Sequence, residues 1–195
     1  MPVMNLFAQD DQQLVKAYLR GSEASLEVLI NRHKSRIHTA IYMFVRDKYL
    51  AEDIFQDTFI KVIESLRSGN YKEEGKFLPW VMRISHNLCI DYFRKVKRKP
   101  SVVDSEGFDI FTVLQFSGDN AEEAMIKDQA KSKVKDLINQ LPPEQKEVVI
   151  LRHYAEMSFK EIAAMTGVSI NTALGRMRYA LINLRKMVTE KAISL

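Results

Sequence analysis

The sequence has few of the residues that interrupt helices or cross-link chains. Its 195 residues include 7 glycines, 5 prolines and a single cysteine, Cys89. One cysteine excludes a disulfide within the chain and is typical of a reducing compartment. With so little glycine and proline, apolar residues recur every three or four positions over long stretches. This pattern predicts an all-α fold.

Long apolar runs are also missing. No stretch approaches the roughly 20 apolar residues that a transmembrane helix needs. The first residues, MPVMNLFAQDDQQ, lack the basic region and apolar core of a signal peptide. We therefore predict a cytoplasmic protein without membrane insertion.

Motifs that carry chemistry are missing as well. The sequence shows no glycine-rich phosphate loop, nucleophile elbow or paired-carboxylate motif. His33 and His38 are close in sequence, as are His86 and Cys89, but no further Cys/His cluster completes a metal site. We predict no catalytic residues, no metal and no cofactor.

Composition divides the chain into three parts. Helical patterns fill most of 1–99 and 121–195. Between them, PSVVDSEGFDIFTVLQFSGDN (100–120) has no lysine or arginine, four acids and no helical period. Such a segment is long for a connection inside one compact domain. We predict two small helical domains joined by a flexible linker, the second a helix-turn-helix domain.

Caps and breaks predict where the helices begin and end. Ser22 is a candidate cap for the second helix, and Pro79 is tolerated in the first turn of the fourth. The predicted helices cover 11–19, 22–43, 51–66, 78–97, 121–140, 144–154, 158–165 and 169–191.

The stretch SFKEIAAMTGVSINTALGRMRYALINLRK (158–186) has the pattern of a helix-turn-helix. Ala163 is small where two helices would cross, Gly167 suits a tight turn, and Ser169 can cap the second helix. An apolar stripe of that helix is expected to face the core: Ile170, Leu174, Met177, Leu181, Leu184 and Val188. The remaining arc carries Asn171, Thr172, Gly175, Arg176, Arg178, Tyr179 and Lys186.

This polar arc fits a DNA major groove. Its first residues would meet base edges, and its cations would lie near phosphates. The alternative is a solvated basic face on an ordinary helical hairpin.

The segment AEDIFQDTFIKVIESL (51–66) divides into two sides on a helical wheel. Phe55, Phe59, Val62 and Leu66 share one side. The opposite side is an acidic stripe with an isoleucine at its centre, made of Asp53, Gln56, Asp57, Ile60 and Glu64. An apolar anchor surrounded by charge is typical of a protein-binding surface. A solvated face with one stray isoleucine is the alternative.

A second dense region, YKEEGKFLPWVMRISHNLCIDYFRKVKRK (71–99), combines cations with aromatic residues. Basic groups can follow a phosphate backbone, and aromatic faces can receive unstacked bases. The alternatives are core packing for Trp80 and Phe93 and a solvated helix end for the basic run. The cations are Arg83, Arg94, Lys95, Lys97, Arg98 and Lys99.

Three segments together resemble the extracytoplasmic-function sigma factors of bacterial RNA polymerase, in the sigma-70 family. They are AEDIFQDTFIKV, FLPWVMRISHNLCIDYFRK and LPPEQKEVVILRHYAEMSFKEIAAMTGVSINTALGRMRYAL, in the family's order and spacing. The resemblance extends from about Leu14 to Lys186.

The resemblance implies that 1–99 bind core RNA polymerase and the minus-ten promoter element. Asp53, Gln56 and Asp57 match polymerase-binding positions, and Ile60 lies among them. The family's loop for an unpaired minus-ten base corresponds to Lys72 to Lys76. DNA contacts are expected along the following helix, from Arg83, Asn87, Asp91, Arg94 and Lys95.

For 121–195 the resemblance implies binding of the minus-thirty-five element through Asn171, Thr172, Gly175, Arg176, Arg178 and Tyr179. Leu174 and Gly175 depart from the family's usual residues. In the family the linker threads toward the polymerase active-site channel, and its acidity here is consistent with mimicry of nucleic-acid charge. An anti-sigma factor is a further candidate partner.

Three other functions are left open by the residues alone. A stand-alone helix-turn-helix regulator would bind duplex DNA without polymerase and would need neither AEDIFQDTF nor FLPWVMRISHN. A nuclease should show a carboxylate or histidine constellation for metal. A helical adaptor would not contact DNA.

Overall fold

The computed structural model describes residues 6–72, 74–98 and 133–190, with side chains at 97 and 98 excepted. Every regular element in these ranges is helical, which confirms the predicted all-α class. The chain divides into two compact units between residues 101 and 102. The predicted linker, 100–120, and the first part of the helix predicted over 121–140 lie outside the described residues.

The described part of the first unit is built around one long helix, α2, which contacts three other helices. Its elements are a 3₁₀ turn (Leu6–Ala8), α1 (Asp11–Leu19), α2 (Glu23–Val45), α3 (Lys48–Arg67) and α4 (Phe77–Arg98). Their apolar faces meet in a core that includes Leu14, Leu29, Ile37, Ile41, Met43, Leu66, Phe77 and Met82.

Local hydrogen bonds begin the helices of this unit. The Asp10 carboxylate accepts from the Gln13 backbone at 2.8 Å, and the Gln13 side chain accepts from the Asp10 backbone at 3.1 Å. Asp47 caps α3 by accepting from the Leu50 backbone at 2.9 Å. Ser22 precedes α2 as predicted, but its hydroxyl lies 2.8 Å from Ser25 Oγ and forms no cap bond.

A polar cluster joins α1 to α2, and we call it the Asp11 clasp. Arg32 Nη1 donates to Asp11 Oδ1 at 2.7 Å, and His33 Nε2 lies 2.8 Å from Asp11 Oδ2. Arg32 Nη2 also donates to the carbonyls of Phe7 and Gln9. The clasp thereby ties the 3₁₀ turn and the start of α1 to the middle of α2.

The clasp predicts a loss of stability in acid. Burial alone would raise the pKa of the Asp11 carboxyl, but the hydrogen bonds and charges of His33 and Arg32 together bring that pKa below its usual value. A depressed folded-state pKa stabilises the protein above the unfolded pKa, about 3.9, and this contribution disappears as pH falls through the folded pKa.

We expect Asp11→Asn to lower the free energy of unfolding by about 1–2 kcal/mol near neutral pH, the range for charged hydrogen bonds at a partly solvated site. Urea titrations of both proteins between about pH 7 and pH 3 test this, since the difference should shrink below pH 4. A difference that stays constant over the whole range would contradict the assignment.

The second unit consists, within the described residues, of a short helical segment and three further helices. These are α5 (133–139), α6 (Pro143–His153), α7 (Phe159–Thr166) and α8 (Ile170–Glu190). α8 packs against both α6 and α7. Asn183 of α8 donates to Gln145 of α6 at 2.9 Å.

The turn between α7 and α8 forms as the sequence predicts. Ser158 and Glu161 make a capping box at the start of α7. Gly167 ends that helix with a φ of 70°, a left-handed conformation that other residues rarely adopt. Ser169 Oγ accepts from the Thr172 backbone at 3.0 Å and so caps α8. Ala163 is buried, as expected for a close helix crossing.

The predicted core stripe of α8 is wrong in its position. Ile170, Leu174 and Leu181 are 45%, 44% and 48% exposed, whereas Ala173 and Ala180 are completely buried. Small alanines allow α8 to approach α6 and α7 closely, so the buried stripe centres on them and the larger apolar residues lie at its margin. The buried stripe of α8 is thus rotated around the helix axis relative to the predicted stripe of large apolar residues.

Within the described ranges, none of the helices has both the length and the apolarity needed to cross a bilayer.

Candidate protein and nucleic-acid interfaces

The acidic stripe lies on the solvent side of α3. Asp53, Gln56, Asp57, Ile60 and Glu64 are all exposed, and Ile60 is 54% accessible. The other side of the helix is buried against α2 and α4 through Ile54, Thr58, Phe59, Val62 and Leu66. A fixed helix therefore presents an apolar centre with carboxylates around it, as binding surfaces do.

Tyr49 extends this stripe and was missed by the sequence analysis. It is 83% exposed and precedes Asp53 by four residues, which is one helical turn. The sequence prediction began the helix at residue 51, but Asp47 caps it at Lys48. An N-cap aspartate is a signal readable from sequence, and its use would have placed Tyr49 on the helix.

The connection between α3 and α4, which we call the 68–76 loop and which is described except for residue 73, lies next to a cluster of aromatic rings. The centroids of Tyr71 and Trp80 are 4.2 Å apart, and Phe77 lies 6.4 Å from Tyr71 and 5.9 Å from Trp80. Phe77 is buried, Tyr71 and Trp80 are half-buried, and Lys72 and Lys76 are exposed. The loop thus combines exposed cations with partly accessible aromatic faces.

One face of α4 continues from this loop. Arg83, Asn87, Asp91, Arg94 and Lys95 are exposed, and Arg94 lies 3.6 Å from Asp91. The opposite face is buried through Val81, Met82, Ser85, His86 and Cys89. Phe93 is half-buried, and its ring lies edge-on to Tyr92. Spacings of four and seven residues bring Arg83, Asn87 and Arg94 to the same side of the helix.

The thiol of Cys89 does not belong to that exposed face. Burial raises the pKa of Cys89 to about 12, so the sulfur stays protonated at neutral pH. A buried, protonated thiol is a poor nucleophile and metal ligand.

The histidines noted in the sequence have separate surroundings. His33 belongs to the Asp11 clasp, while His38 Nε2 lies 3.5 Å from Glu52 Oε2. His86 packs edge-on to Phe44 at 5.2 Å. In the described part of the chain, no three histidine, cysteine, aspartate or glutamate side chains are grouped as a metal site.

The first turns of α8 present the residues predicted to meet bases. Asn171, Thr172, Arg178 and Tyr179 are exposed, with Tyr179 62% accessible. Gly175 and Arg176 are half-buried, so they contribute less surface than the sequence analysis assumed. The exposed polar residues still share one side of the helix that starts at the Gly167 turn.

An open apolar groove of about 460 Å³ runs along the next side of α8. α8 supplies most of its lining, and Phe159 contributes from α7. The Arg152 guanidinium lies 5.3 Å above the Phe159 ring. The full lining consists of Phe159, Leu174, Met177, Arg178, Leu181, Ile182 and Arg185.

Two family models match the chain, one in each unit. Residues 29–99 match Sigma-70 region 2, and residues 131–179 match Sigma-70 region 4. The first match contains the acidic stripe of α3, called the α3 stripe below, together with the 68–76 loop and α4. The second contains the helix-turn-helix.

Relatives extend the similarity over most of the chain. The RNA polymerase sigma factor CarQ of Myxococcus xanthus is 30% identical over 170 residues, which cover 87% of this chain and 92% of CarQ. The chain is an extracytoplasmic-function sigma factor of the sigma-70 family. RNA polymerase sigma-H factor of Pseudomonas aeruginosa is 29% identical over 178 residues, covering 88% and 90% of the two chains.

Solved sigma factors share the fold of this sigma factor. The structure of CnrH with the cytosolic domain of CnrY has a TM-score of 0.62 at 22% identity, covering 93% of this chain and 99% of CnrH. The sigma factor RpoE of Bartonella quintana, solved with the anti-sigma factor NepR, has a TM-score of 0.59 at 17% identity, covering 84% and 96%.

As a sigma factor, the protein binds core RNA polymerase, recognises promoter DNA and helps to open it. The region 2 match decides against a stand-alone regulator, because such a protein would need neither AEDIFQDTF nor FLPWVMRISHN. Sigma factors are transcription initiation factors, and they are not catalysts.

Proposed function

We propose that the α3 stripe is the surface that binds core RNA polymerase. The observation that carries this proposal is the division of α3 into a buried side and a solvent side with Ile60 at the centre of exposed Asp53, Gln56 and Asp57. A basic surface with an apolar recess would complement it. Tyr49 adds an exposed aromatic ring, a residue type enriched among binding hot spots.

The 68–76 loop and the exposed face of α4 are proposed to bind the minus-ten element. Lys72 and Lys76 lie beside the aromatic rings, and Arg83, Asn87, Arg94 and Lys95 follow along α4. Cations would hold the phosphate backbone while the loop holds a base that has left the stack. Unstacking costs a few kcal/mol per base, so a pocket that binds the free base favours strand opening.

The start of α8 is proposed to bind the minus-thirty-five element as duplex DNA. Asn171 and Thr172 lie at the beginning of the helix, where a recognition helix meets base edges, and Arg178 and Tyr179 lie two turns further on. Phosphate contacts would give position, and the few base contacts would give sequence preference. Gly175 and Arg176 complete the proposed surface from half-buried positions.

The two units then have different tasks. The second unit holds duplex DNA upstream, and the first unit captures bases as the strands separate. All bond-making chemistry belongs to polymerase, so we propose that this chain has no catalytic activity of its own. It would act in the cytoplasm, where core polymerase and promoter DNA meet. The net charge of +4 is small, and weak DNA binding without polymerase is expected.

An anti-sigma factor is a proposed additional partner. The fold neighbour RpoE was solved together with the anti-sigma factor NepR. The α3 stripe and the apolar groove on α8 are both exposed surfaces that a masking protein could cover.

Run-off transcription with purified core polymerase over a promoter library tests the proposed function. We expect transcripts only when this chain is added, from promoters that share two sequence elements. The preferred elements can be read from the transcribed templates. Tight binding of one duplex by the isolated chain, without association with core polymerase, would overturn the proposal.

A further inference from the structure

Helix α1 lies outside the stretch matched to Sigma-70 region 2, which begins at residue 29. It nevertheless contacts Arg67, the last residue of α3 before the 68–76 loop, and lies against Gly75 near the end of that loop. Before the loop, Arg67 Nε donates to Tyr18 Oη of α1 at 3.1 Å, and Arg67 Nη2 lies 3.6 Å from Oε1 of Glu23, the first residue of α2. Tyr18 is buried, so this hydrogen bond joins the end of α3 to a fixed point on α1.

Near the end of the loop, Gln12 lies against Gly75. A methyl group placed on Gly75 would come within 2.9 Å of Gln12 Nε2 and 3.8 Å of Gln12 Cδ. Gly75 has a φ of 73°, a conformation that a side chain would strain. The backbone of the loop therefore turns directly over the Gln12 amide, just before α4 begins.

The Asp11 clasp holds α1 in the position from which these contacts are made. Asp11, the neighbour of Gln12, is tied to Arg32 and His33 on α2. The His33 ring also lies 5.8 Å from the Phe77 ring, which contacts the rings of Tyr71 and Trp80. One set of contacts thus connects the start of α1 to the aromatic cluster of Tyr71, Phe77 and Trp80.

We infer that α1 is a brace for the 68–76 loop and that Gln12 is a positioning residue for capture of the unpaired minus-ten base. The inference rests on the proposed base-binding role of this loop. Gln12 lies against the loop at Gly75, so it would act by fixing where the loop turns. Because a base pocket depends on precise placement, a loop free to shift should hold all bases less selectively.

Gln12→Ala in the complete polymerase complex tests the inference. Each of four promoters differs only in the base that is captured, and a promoter with 2-aminopurine at that position reports unstacking by fluorescence. We expect the ratio of promoter-opening rates between the best and the worst base to fall about three- to tenfold. A change of this size is typical for the loss of one contact between two neighbouring residues. Polymerase affinity and the unfolding temperature should stay unchanged.

Leu19→Ala is the matched control, because Leu19 is 54% exposed and is the last residue of the same helix, two turns after Gln12. It should leave base discrimination intact. Equal discrimination in wild type and Gln12→Ala would overturn the inference, as would a uniform fall in rate for all four bases.

A substitution on the loop side tests the same contact from its other partner. Gly75→Ala adds a methyl group against the Gln12 amide and should reduce base capture. The double variant Gln12→Ala/Gly75→Ala removes the clash but keeps the backbone strain, so its capture should be better than the product of the single losses predicts. Multiplicative losses would show that the two residues are not coupled and would contradict the brace.

A further variant, in the cations of the loop, separates this inference from the proposed function. Lys72→Ala/Lys76→Ala alters the exposed cations of the loop and leaves α1 unchanged. If it reduces base capture while Gln12→Ala does not, the loop binds the base and the brace is wrong. If capture persists in all of these variants, the assignment of the loop itself is wrong.

Discussion

We expect Asp53→Lys/Asp57→Lys to abolish the association of the protein with core RNA polymerase. Both carboxylates are exposed on α3, one turn apart, beside Ile60. Reversal of two charges converts an attraction into a repulsion at the centre of the surface, and like charges across an interface cost several kcal/mol. We expect at least about a hundredfold weaker binding, measured by co-purification and by titration with labelled core enzyme.

The control for this experiment changes the net charge equally. Glu27→Lys/Glu190→Lys reverses two exposed acids that lie outside the stripe. It should bind core enzyme as the wild type does. Tyr49→Ala removes no charge, and about fivefold or greater weakening would show that the stripe begins one turn before Asp53. Unchanged co-purification of the double lysine variant would refute the stripe as the polymerase-binding surface.

We expect Arg178→Glu to abolish selective use of the upstream promoter element while polymerase binding is retained. Arg178 is exposed on the α8 side that carries Asn171 and Tyr179. A single arginine contact to DNA contributes about 1–3 kcal/mol, and a glutamate at this position adds repulsion from phosphate. We expect about a hundredfold loss of promoter affinity in the polymerase complex, measured at fixed salt.

Arg178→Ala shows which kind of contact is lost. A phosphate contact predicts uniform weakening on all sequences and a salt slope lower by about one, whereas a base contact predicts relaxed preference at one position. Lys133→Glu, an exposed cation of the same unit on α5, is the control. Equal loss of polymerase and upstream DNA binding in Arg178→Glu would show that the substitution had damaged the unit as a whole.

Strong local signals made most helices predictable. Gly167 was predicted at a tight turn and Ser169 as a cap, and the structure has Gly167 in the left-handed region and Ser169 Oγ accepting from the Thr172 backbone. Each signal depends on hydrogen bonds or backbone angles within a few residues, so no distant contact had to be known. The start of α3 was predicted three residues late because the cap at Asp47 was overlooked, and with it the exposed position of Tyr49.

The acidic stripe was equally readable, because the period of α3 separates large apolar residues from charged ones. α8 was harder. Its large apolar residues suggested one buried side, but the structure buries Ala173 and Ala180 and leaves Leu174 and Leu181 half-exposed. Which apolar stripe is buried depends on how closely neighbouring helices approach, and two small residues allowed α6 and α7 to come near.

By itself, the sequence determined the helical class, the turn of the helix-turn-helix, the charged side of α3 and the family to which the chain belongs. Only the tertiary structure decided that α1 contacts the end of α3 and lies against the 68–76 loop at Gly75. Gln12 and Gly75 are 63 positions apart, and Tyr18 and Arg67 are 49 apart. Periodicity reports which side of one helix is apolar, but contacts between distant segments depend on how several helices pack around α2.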